Sequence, residues 1–169
     1  LLGVAVAGVG ISTVLPVTVS SSALTVPTCR PMRMVSLRPE TGGSFRSITM
    51  DVDSDASVAE GVERILREQG RIDVLVNNAG FGVAGAIEDT TVEEARAQLE
   101  TNFLGTHRTC RAVLPAMREQ RSGRIVNIGS VAGEKGGRGQ TNYAASKGAI
   151  NAFTRALAVE LAPRRINVN

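Results

Sequence analysis

The chain has 169 residues, of which 43% are hydrophobic and 21% charged, so it can bury one sizeable core and is too short for two ordinary domains. Its net charge is only +3, and the 19 basic residues are interspersed with 16 acidic ones, which argues against a nucleic-acid partner. A single histidine, His107, and two cysteines, Cys29 and Cys110, show no metal-ligand spacing. We therefore expect no metal site, and free thiols in a reducing, cytoplasmic setting.

The N-terminal segment is unusual, because residues 1–29 contain no charged residue and are rich in valine, threonine and serine. An export signal would begin with basic residues, which this segment lacks. Glycines and Pro16 interrupt its apolar run well before it reaches membrane-spanning length. We expect neither export nor a membrane partner.

From Ser44 onward, predicted strands alternate with predicted helices, which is the pattern of an α/β protein with a parallel sheet. The strands are short, largely apolar segments at 46–52, 72–76, 124–128 and 166–169. Between the first two, apolar residues recur at helical spacing and Gly70 follows as a stop signal. The order of these elements predicts parallel strands joined by helices.

Two further helices are predicted from capping signals and breakers. Thr91 and Glu94 form a capping-box signature at the start of a long helix that runs to about Gln120, with a kink expected at Pro115. A second helix is predicted over 141–161, where Pro163 ends it. A glycine-rich loop over 129–139 precedes this last helix.

Tyr143 and Lys147 are one helical turn apart in this last helix, so both side chains project from one face. A tyrosine hydroxyl is a poor base at neutral pH, and a nearby ammonium stabilises its phenolate form. By itself, the spacing is more typical of a solvated helix face. Ser130 follows a buried strand, where open α/β sheets bind ligands, although a serine there can equally cap a turn.

Four motifs occur together: NNAG at 77–80, Asn102 in NFLG, Ser130 in NIGS and the YAASK segment at 143–147. In order and separation they resemble the short-chain dehydrogenase/reductase family over 51–169. The stretch 137–163 is most similar to β-ketoacyl-(acyl-carrier-protein) reductases, and NNAGFGVAGAIED is as similar to carbonyl and hydroxysteroid dehydrogenases. The resemblance implies a Rossmann-like doubly wound parallel sheet, incomplete at both ends, in a single domain over 1–169 that is atypical over 1–40.

The resemblance also implies roles for the catalytic residues. Tyr143 would be the general acid/base, Lys147 would favour its phenolate form and contact the cofactor ribose, and Ser130 would orient and polarise the substrate carbonyl. Asn102 would hold a water that connects Lys147 to solvent as a proton relay. The chemistry agrees, because hydride arrival at a carbonyl carbon leaves an alkoxide that needs a proton donor.

The implied cofactor is NAD(P)H, with NADP(H) preferred by similarity to the ketoacyl-carrier reductases and NAD(H) as the alternative. Asp51 and Val52 would border the adenine, and the remaining cofactor-binding residues would be Asn78, Ala79, Gly80, Tyr143 and Lys147. Three arginines near the expected 2′-phosphate position fit a solvated basic loop better than a phosphate site: Arg30, Arg33 and Arg38.

The chain departs from the family pattern near both ends. The family's TGxxxGxG loop is not intact, because Gly8 and Gly10 match its last two glycines while Gly3 and Val4 stand at its Thr-Gly positions. Residues 1–40 are either a divergent segment or a reading-frame error, of which we favour the second. After INVN, the substrate-covering segment of the family is missing.

The sequence therefore predicts an oxidoreductase that transfers a hydride between NAD(P)H and a small-molecule or carrier-bound carbonyl, with a 3-oxoacyl thioester of fatty acid biosynthesis as the candidate substrate. The full-length protein is expected to be a homo-oligomer. The alternative is an inactive fragment or pseudoenzyme that uses the same fold as an interaction module. The damaged glycine loop favours that alternative, and the complete Asn-Ser-Tyr-Lys set argues against it.

Overall fold

The computed structural model describes the backbone of 3–7, 32–37 and 46–47, and both backbone and side chains of 48–169. Within these residues the strands are β1 Gly3–Ala7, β2 Met32–Leu37, β3 Arg46–Met50, β4 Val74–Asn77, β5 Gly123–Asn127 and β6 Ile166–Val168. They form one sheet in the order β3-β2-β1-β4-β5-β6. This is the strand order of a Rossmann fold, so the predicted α/β class is confirmed.

The strand directions are mixed at one side of the sheet. β4, β5 and β6 are parallel, as predicted, and β1 is parallel to β4, whereas β2 is antiparallel to both β1 and β3. Neighbouring parallel strands need a connection of a dozen or more residues, and β2 and β3 are separated only by residues 38–45. The short connection therefore accounts for the direction of β2 relative to β3, which the sequence analysis did not predict.

The helices begin or end at several of the predicted signals. They are α1 Asp55–Gln69, α2 Val92–Leu99, α3 Gly105–Gln120, α4 Ala132–Lys135 and α5 Thr141–Leu161. Gly70 ends α1 in the left-handed conformation, with φ 77°. The capping box of Thr91 and Glu94 is formed at the start of α2. Pro163 lies in a short 3-10 turn directly after α5. These local predictions are confirmed, whereas α4 lies within 129–139, which was predicted to be a loop.

The long helix expected from Thr91 to Gln120 is interrupted at a different place from the one predicted. A π-helical segment, Glu100–Leu104, separates α2 from α3, whereas α3 continues without a break through Pro115. Proline removes the hydrogen bond to the carbonyl four residues earlier. That carbonyl belongs to the exposed Arg111, where solvent can satisfy it.

One apolar core lies between the sheet and the helices. The helical face predicted for α1, which includes Ile65, is buried and packs with apolar side chains of the central strands and of α3 and α5, among them Leu75, Val113, Ile125 and Leu161. The core leaves the carboxyl ends of β3, β4 and β5 at a common edge of the sheet. Within the described part of the chain, no helix is both long enough and apolar enough to span a bilayer.

Cys110 is a free thiol in α3, and its side chain lies in this core. Burial raises the pKa of the Cys110 thiol to about 12, and a hydrogen bond from Asn77 opposes the shift. Thiolate is the reactive form of cysteine, so burial disfavours the reactive form of Cys110 at neutral pH. Cys29 lies outside the described residues.

Candidate active site

Tyr143 and Lys147 lie side by side in the first two turns of α5. The Lys147 Nζ is 6.0 Å from the centre of the Tyr143 ring. The ring of Tyr143 is half-buried, whereas Lys147 is only 7% exposed. The predicted pairing of the two side chains on one helix face is therefore present, with the phenol accessible and the ammonium enclosed.

The Lys147 ammonium connects α5 to the end of β5. Its Nζ donates a hydrogen bond of 2.7 Å to the carbonyl oxygen of Ile128, the residue that follows β5. Burial lowers the pKa of the Lys147 ammonium from its usual value, because a charge is less stable away from water. Burial of the Lys147 ammonium therefore lowers the free energy of unfolding.

Replacing Lys147 by methionine should therefore stabilise the fold at neutral pH. We expect a gain of about 1 kcal/mol, or a rise in the thermal midpoint of roughly 2–4 °C. Below the lowered pKa the amine is charged in both folded and unfolded chains, so the cost is fully present. As the pH rises toward the usual value of 10.5, the folded chain loses the proton first and the cost disappears.

Thermal unfolding of the wild type and Lys147→Met, measured at neutral and at alkaline pH, checks this expectation. The difference between them should shrink as the pH rises. Lys135→Met is the matched control, because Lys135 is exposed on α4 and should leave the midpoint unchanged. A lower midpoint for Lys147→Met at neutral pH would show that the Ile128 hydrogen bond outweighs the cost of burial.

Ser130 lies two residues beyond Ile128, in the loop that leads into α4. Its Oγ accepts a hydrogen bond of 3.2 Å from the backbone N–H of Ala132. The backbone of α4 then touches α5 directly, since a Cβ on Gly133 would lie 2.6 Å from the carbonyl carbon of Lys147. Glycine at this position allows the contact, and the contact holds the Ser130 loop next to the helix that carries Tyr143.

Asn102 lies in the π-helical segment and its side chain is 1% exposed. Its Oδ1 accepts from the backbone N–H of Phe81 at 2.9 Å, and its Nδ2 donates to the carbonyl oxygen of Phe81 at 2.9 Å and to Ser146 Oγ at 3.0 Å. The residue therefore joins the loop after β4 to α5. Irregular π-helical turns are frequent at functional sites.

The NNAG motif ends β4 and begins this loop. Asn77 donates a hydrogen bond of 2.8 Å to Asn127 at the matching position of β5, so the two strand ends are joined. Asn78 is exposed at the edge of the sheet and Ala79 is buried. A Cβ on Gly80 would lie 2.8 Å from Asn102 Oδ1. Glycine here allows the loop to approach Asn102 closely.

Asp51 and Val52 follow β3 at the same edge of the sheet. The Asp51 carboxylate accepts from the backbone N–H of Asp53 at 3.0 Å. Val52 is buried against Gly105, where a Cβ would lie 2.9 Å from the Val52 side chain. The resemblance alone assigns Asp51 and Val52 to the adenine of the cofactor. They remain predictions as cofactor contacts.

Several further predictions concern residues that are not described. The described part of the chain does not include Gly8, Gly10, Arg30, Arg38 or the side chain of Arg33. Gly3 and Val4, which stand at the Thr-Gly positions in one register of the glycine loop, lie within strand β1.

Three contributors to the site were missed by the sequence analysis. The Ile128 carbonyl accepts from Lys147, Ser146 accepts from Asn102, and Gly133 contacts α5. Ser146 is inside the YAASK motif, so its position in that motif was an available signal. The other two depend on contacts between distant segments.

The described residues fit a nicotinamide cofactor at the carboxyl edge. Ile128 directly follows a core strand, yet its side chain is 42% exposed, and Val131 is 66% exposed beside Ser130. An apolar surface next to a buried ammonium and a phenol suits a flat ring that carries an attached ribose. Among the described residues, no cluster of side chains could hold a metal ion.

A protein-family model described as short chain dehydrogenase matches residues 6–169. The chain is 47% identical to 3-ketodihydrosphingosine reductase of Bacteroides thetaiotaomicron over 129 residues, which are 76% of this chain and 48% of the relative. It is 43% identical to 3-oxoacyl-(acyl-carrier-protein) reductase of Bos taurus over 130 residues, 77% of this chain and 55% of the relative. The chain thus spans about half the length of the curated relatives it matches.

Solved structures agree with this result. NAD+-bound xylitol dehydrogenase superposes with a TM-score of 0.70 at 39% identity, covering 72% of this chain and 47% of that one. ElxO with NADP bound gives a TM-score of 0.69 at 34% identity, covering 71% and 49%. Because the family model extends from residue 6 to the last residue, this chain belongs to the short-chain dehydrogenase/reductase family.

Proposed function

We propose that the chain carries the catalytic residues of an oxidoreductase that transfers a hydride between NAD(P)H and a carbonyl or alcohol. The observation that carries the proposal is the buried Lys147 ammonium, which is held on the Ile128 carbonyl and lies 6.0 Å from the ring of Tyr143. A buried ammonium costs stability. Beside an accessible phenol, however, it has a chemical use, because it stabilises the phenolate that remains after proton donation.

In this proposal the hydroxyl of Tyr143 donates a proton to the oxygen of the reduced carbonyl, and Lys147 stabilises the resulting phenolate. When bound, the nicotinamide would supply the hydride. Ser130 Oγ accepts from the Ala132 N–H, so its own hydrogen is available to the substrate carbonyl oxygen. That hydrogen bond would orient the carbonyl and stabilise charge as it develops on the oxygen.

The proton relay through a water at Asn102 is also part of the proposal. Both hydrogens of Asn102 Nδ2 are donated to protein groups, Phe81 and Ser146. A relay water would therefore donate a hydrogen bond to an oxygen atom of Asn102. The buried Asn102 amide would serve mainly to hold the loop after β4 and helix α5 in place around that water.

The names of the relatives favour a keto compound as substrate. Both curated relatives are named as reductases of a keto group at carbon 3 of a longer molecule. We propose a 3-oxoacyl thioester as substrate, with NADP(H) preferred over NAD(H), in a protein that forms a homo-oligomer. One solved neighbour carries NAD+ and another NADP, so both cofactors belong in the test.

The test combines binding and turnover. Tyr143 is the only tyrosine, and the chain has no tryptophan, so quenching of its fluorescence reports ligand binding beside Tyr143. We expect NADPH to quench this fluorescence more strongly than NADH. We also expect NADPH to be consumed when a 3-oxoacyl thioester is added. The consumption is measured as a loss of NADPH absorbance.

Two controls separate this proposal from the pseudoenzyme alternative. An acyl thioester without the 3-oxo group should quench fluorescence without consuming NADPH, since it has no ketone to reduce. Ser130→Ala should keep cofactor binding and lower turnover. Binding of NADPH with no turnover of any 3-oxoacyl thioester would contradict the proposal and favour an interaction module.

A further inference from the structure

Gln98 is a fully buried polar residue near the site that no motif marks. It lies in α2, and its side chain is 0% exposed. Its Nε2 donates a hydrogen bond of 3.0 Å to the carbonyl oxygen of Phe81, while its Oε1 is buried and has no hydrogen-bond partner among the described residues. An apolar side chain of similar size would avoid that unpaired oxygen. Core packing alone therefore does not explain an amide here.

The acceptor of this hydrogen bond is the centre of the Asn102 network. The carbonyl oxygen of Phe81 accepts from both Gln98 Nε2 and Asn102 Nδ2, at 3.0 and 2.9 Å. Both lone pairs of the carbonyl are thereby used. The Phe81 N–H in turn donates to Asn102 Oδ1. Two buried amides from neighbouring helical segments thus hold one peptide unit.

This peptide unit is adjacent to the proposed proton donor. A Cβ on Gly82 would lie 3.6 Å from Cδ2 of the Tyr143 ring, so the backbone of Gly82 lies against that ring. The network reaches Tyr143 by a second route, because Ser146 Oγ accepts from Asn102 and donates to the Tyr143 carbonyl at 2.8 Å. Gln98 therefore acts on the ring side of Tyr143, and Ser146 on its backbone.

Resting on the reductase function proposed above, we infer that Gln98 is a positioning residue that holds Phe81 and Gly82 against the ring of Tyr143. It touches neither substrate nor cofactor in this role. Its amide N–H limits movement of the Phe81 carbonyl, and so keeps the phenol in one orientation. Small displacements of a reacting group cost on the order of 10²-fold per ångström, so the hydrogen bond matters for turnover more than for folding.

The test uses Gln98→Met, which keeps the side-chain length and helix preference but removes the donor. We expect turnover to fall on the order of tenfold while the KM for NADPH stays the same. Fluorescence of Tyr143, the only tyrosine, should be quenched more strongly by acrylamide, because the ring loses its cover. The thermal midpoint should be unchanged or higher. Arg96→Met, an exposed position on the same helix, is the control and should change none of these.

The outcomes separate this inference from the proposed function. Unchanged acrylamide quenching in Gln98→Met would overturn the inference, and so would stronger quenching that accompanies a clear fall in the thermal midpoint, since that is a general loss of structure. If the wild type consumes no NADPH, the reductase proposal fails. Stronger quenching at a preserved midpoint would still support Gln98 as the residue that positions Tyr143.

Discussion

Tyr143→Phe should remove nearly all turnover while leaving cofactor binding intact. The substitution deletes only the hydroxyl, which is the proposed proton donor, and a positioned general acid contributes roughly 10²- to 10⁴-fold. The ring and its contact with Gly82 remain, and so does the Lys147 hydrogen bond to Ile128. Turnover is measured by NADPH absorbance. Binding is measured by the fluorescence of NADPH itself, because the variant has no tyrosine.

Arg155→Gln is the control for this variant, because Arg155 is exposed on the same helix and should alter neither quantity. Retention of most of the turnover by Tyr143→Phe would refute the assignment of Tyr143 as proton donor. Loss of binding together with turnover would show instead that the hydroxyl holds the cofactor. Each result therefore leads to a different role for the residue.

Gly133→Ala should have the largest effect on the geometry of the site. Its Cβ would lie 2.6 Å from the carbonyl carbon of Lys147 and 2.7 Å from the N of Gly148, and neither backbone atom can move alone. The α4 segment must shift away from α5. We expect a loss of about 1–3 kcal/mol in the free energy of unfolding. Turnover should fall on the order of 10²-fold, because the Ser130 loop moves relative to Tyr143.

Gly148→Ala is the matched control on the opposite side of the same contact. A Cβ there would lie 3.4 Å from the Gly133 carbonyl oxygen, which is an ordinary contact, and alanine favours a helix interior over glycine. Thermal unfolding and turnover, measured for Gly133→Ala and Gly148→Ala, check this prediction. Equal behaviour of the two variants would contradict the close approach of α4 to α5 at Gly133.

The proposed catalytic residues could be predicted from the sequence because local geometry places them. Tyr143 and Lys147 are four residues apart on one helix, so helical geometry alone places them together. Ser130 follows a strand, and the position of strand ends in an α/β sheet predicts where it lies. Of the residues that support them, Gln98 and Gly133 carried no signal in the sequence. Gln98 and Gly133 act through contacts with Phe81 and Lys147, which lie 17 and 14 positions away along the chain.

The interruption at Asn102 shows the same limit. The capping box at Thr91 predicts a helix that runs to about Gln120, with a kink at Pro115. The structure places the irregular turn at Glu100–Leu104, where the Asn102 amide pairs with both backbone groups of Phe81. The partner of that amide comes from the loop after β4. No local preference of 100–104 contains this information.

By itself, the sequence determined helices α1 and α5, the capping residues Gly70 and Thr91, and the Tyr143 and Lys147 pair. These features depend on backbone preferences and on neighbours within one helical turn, which the local residue types encode. Only the tertiary structure decided the antiparallel pairing of β2 with β1 and the burial of the Lys147 ammonium on the Ile128 carbonyl. Both depend on which distant segments come within hydrogen-bonding distance, and that is set by the packing of the whole sheet and core.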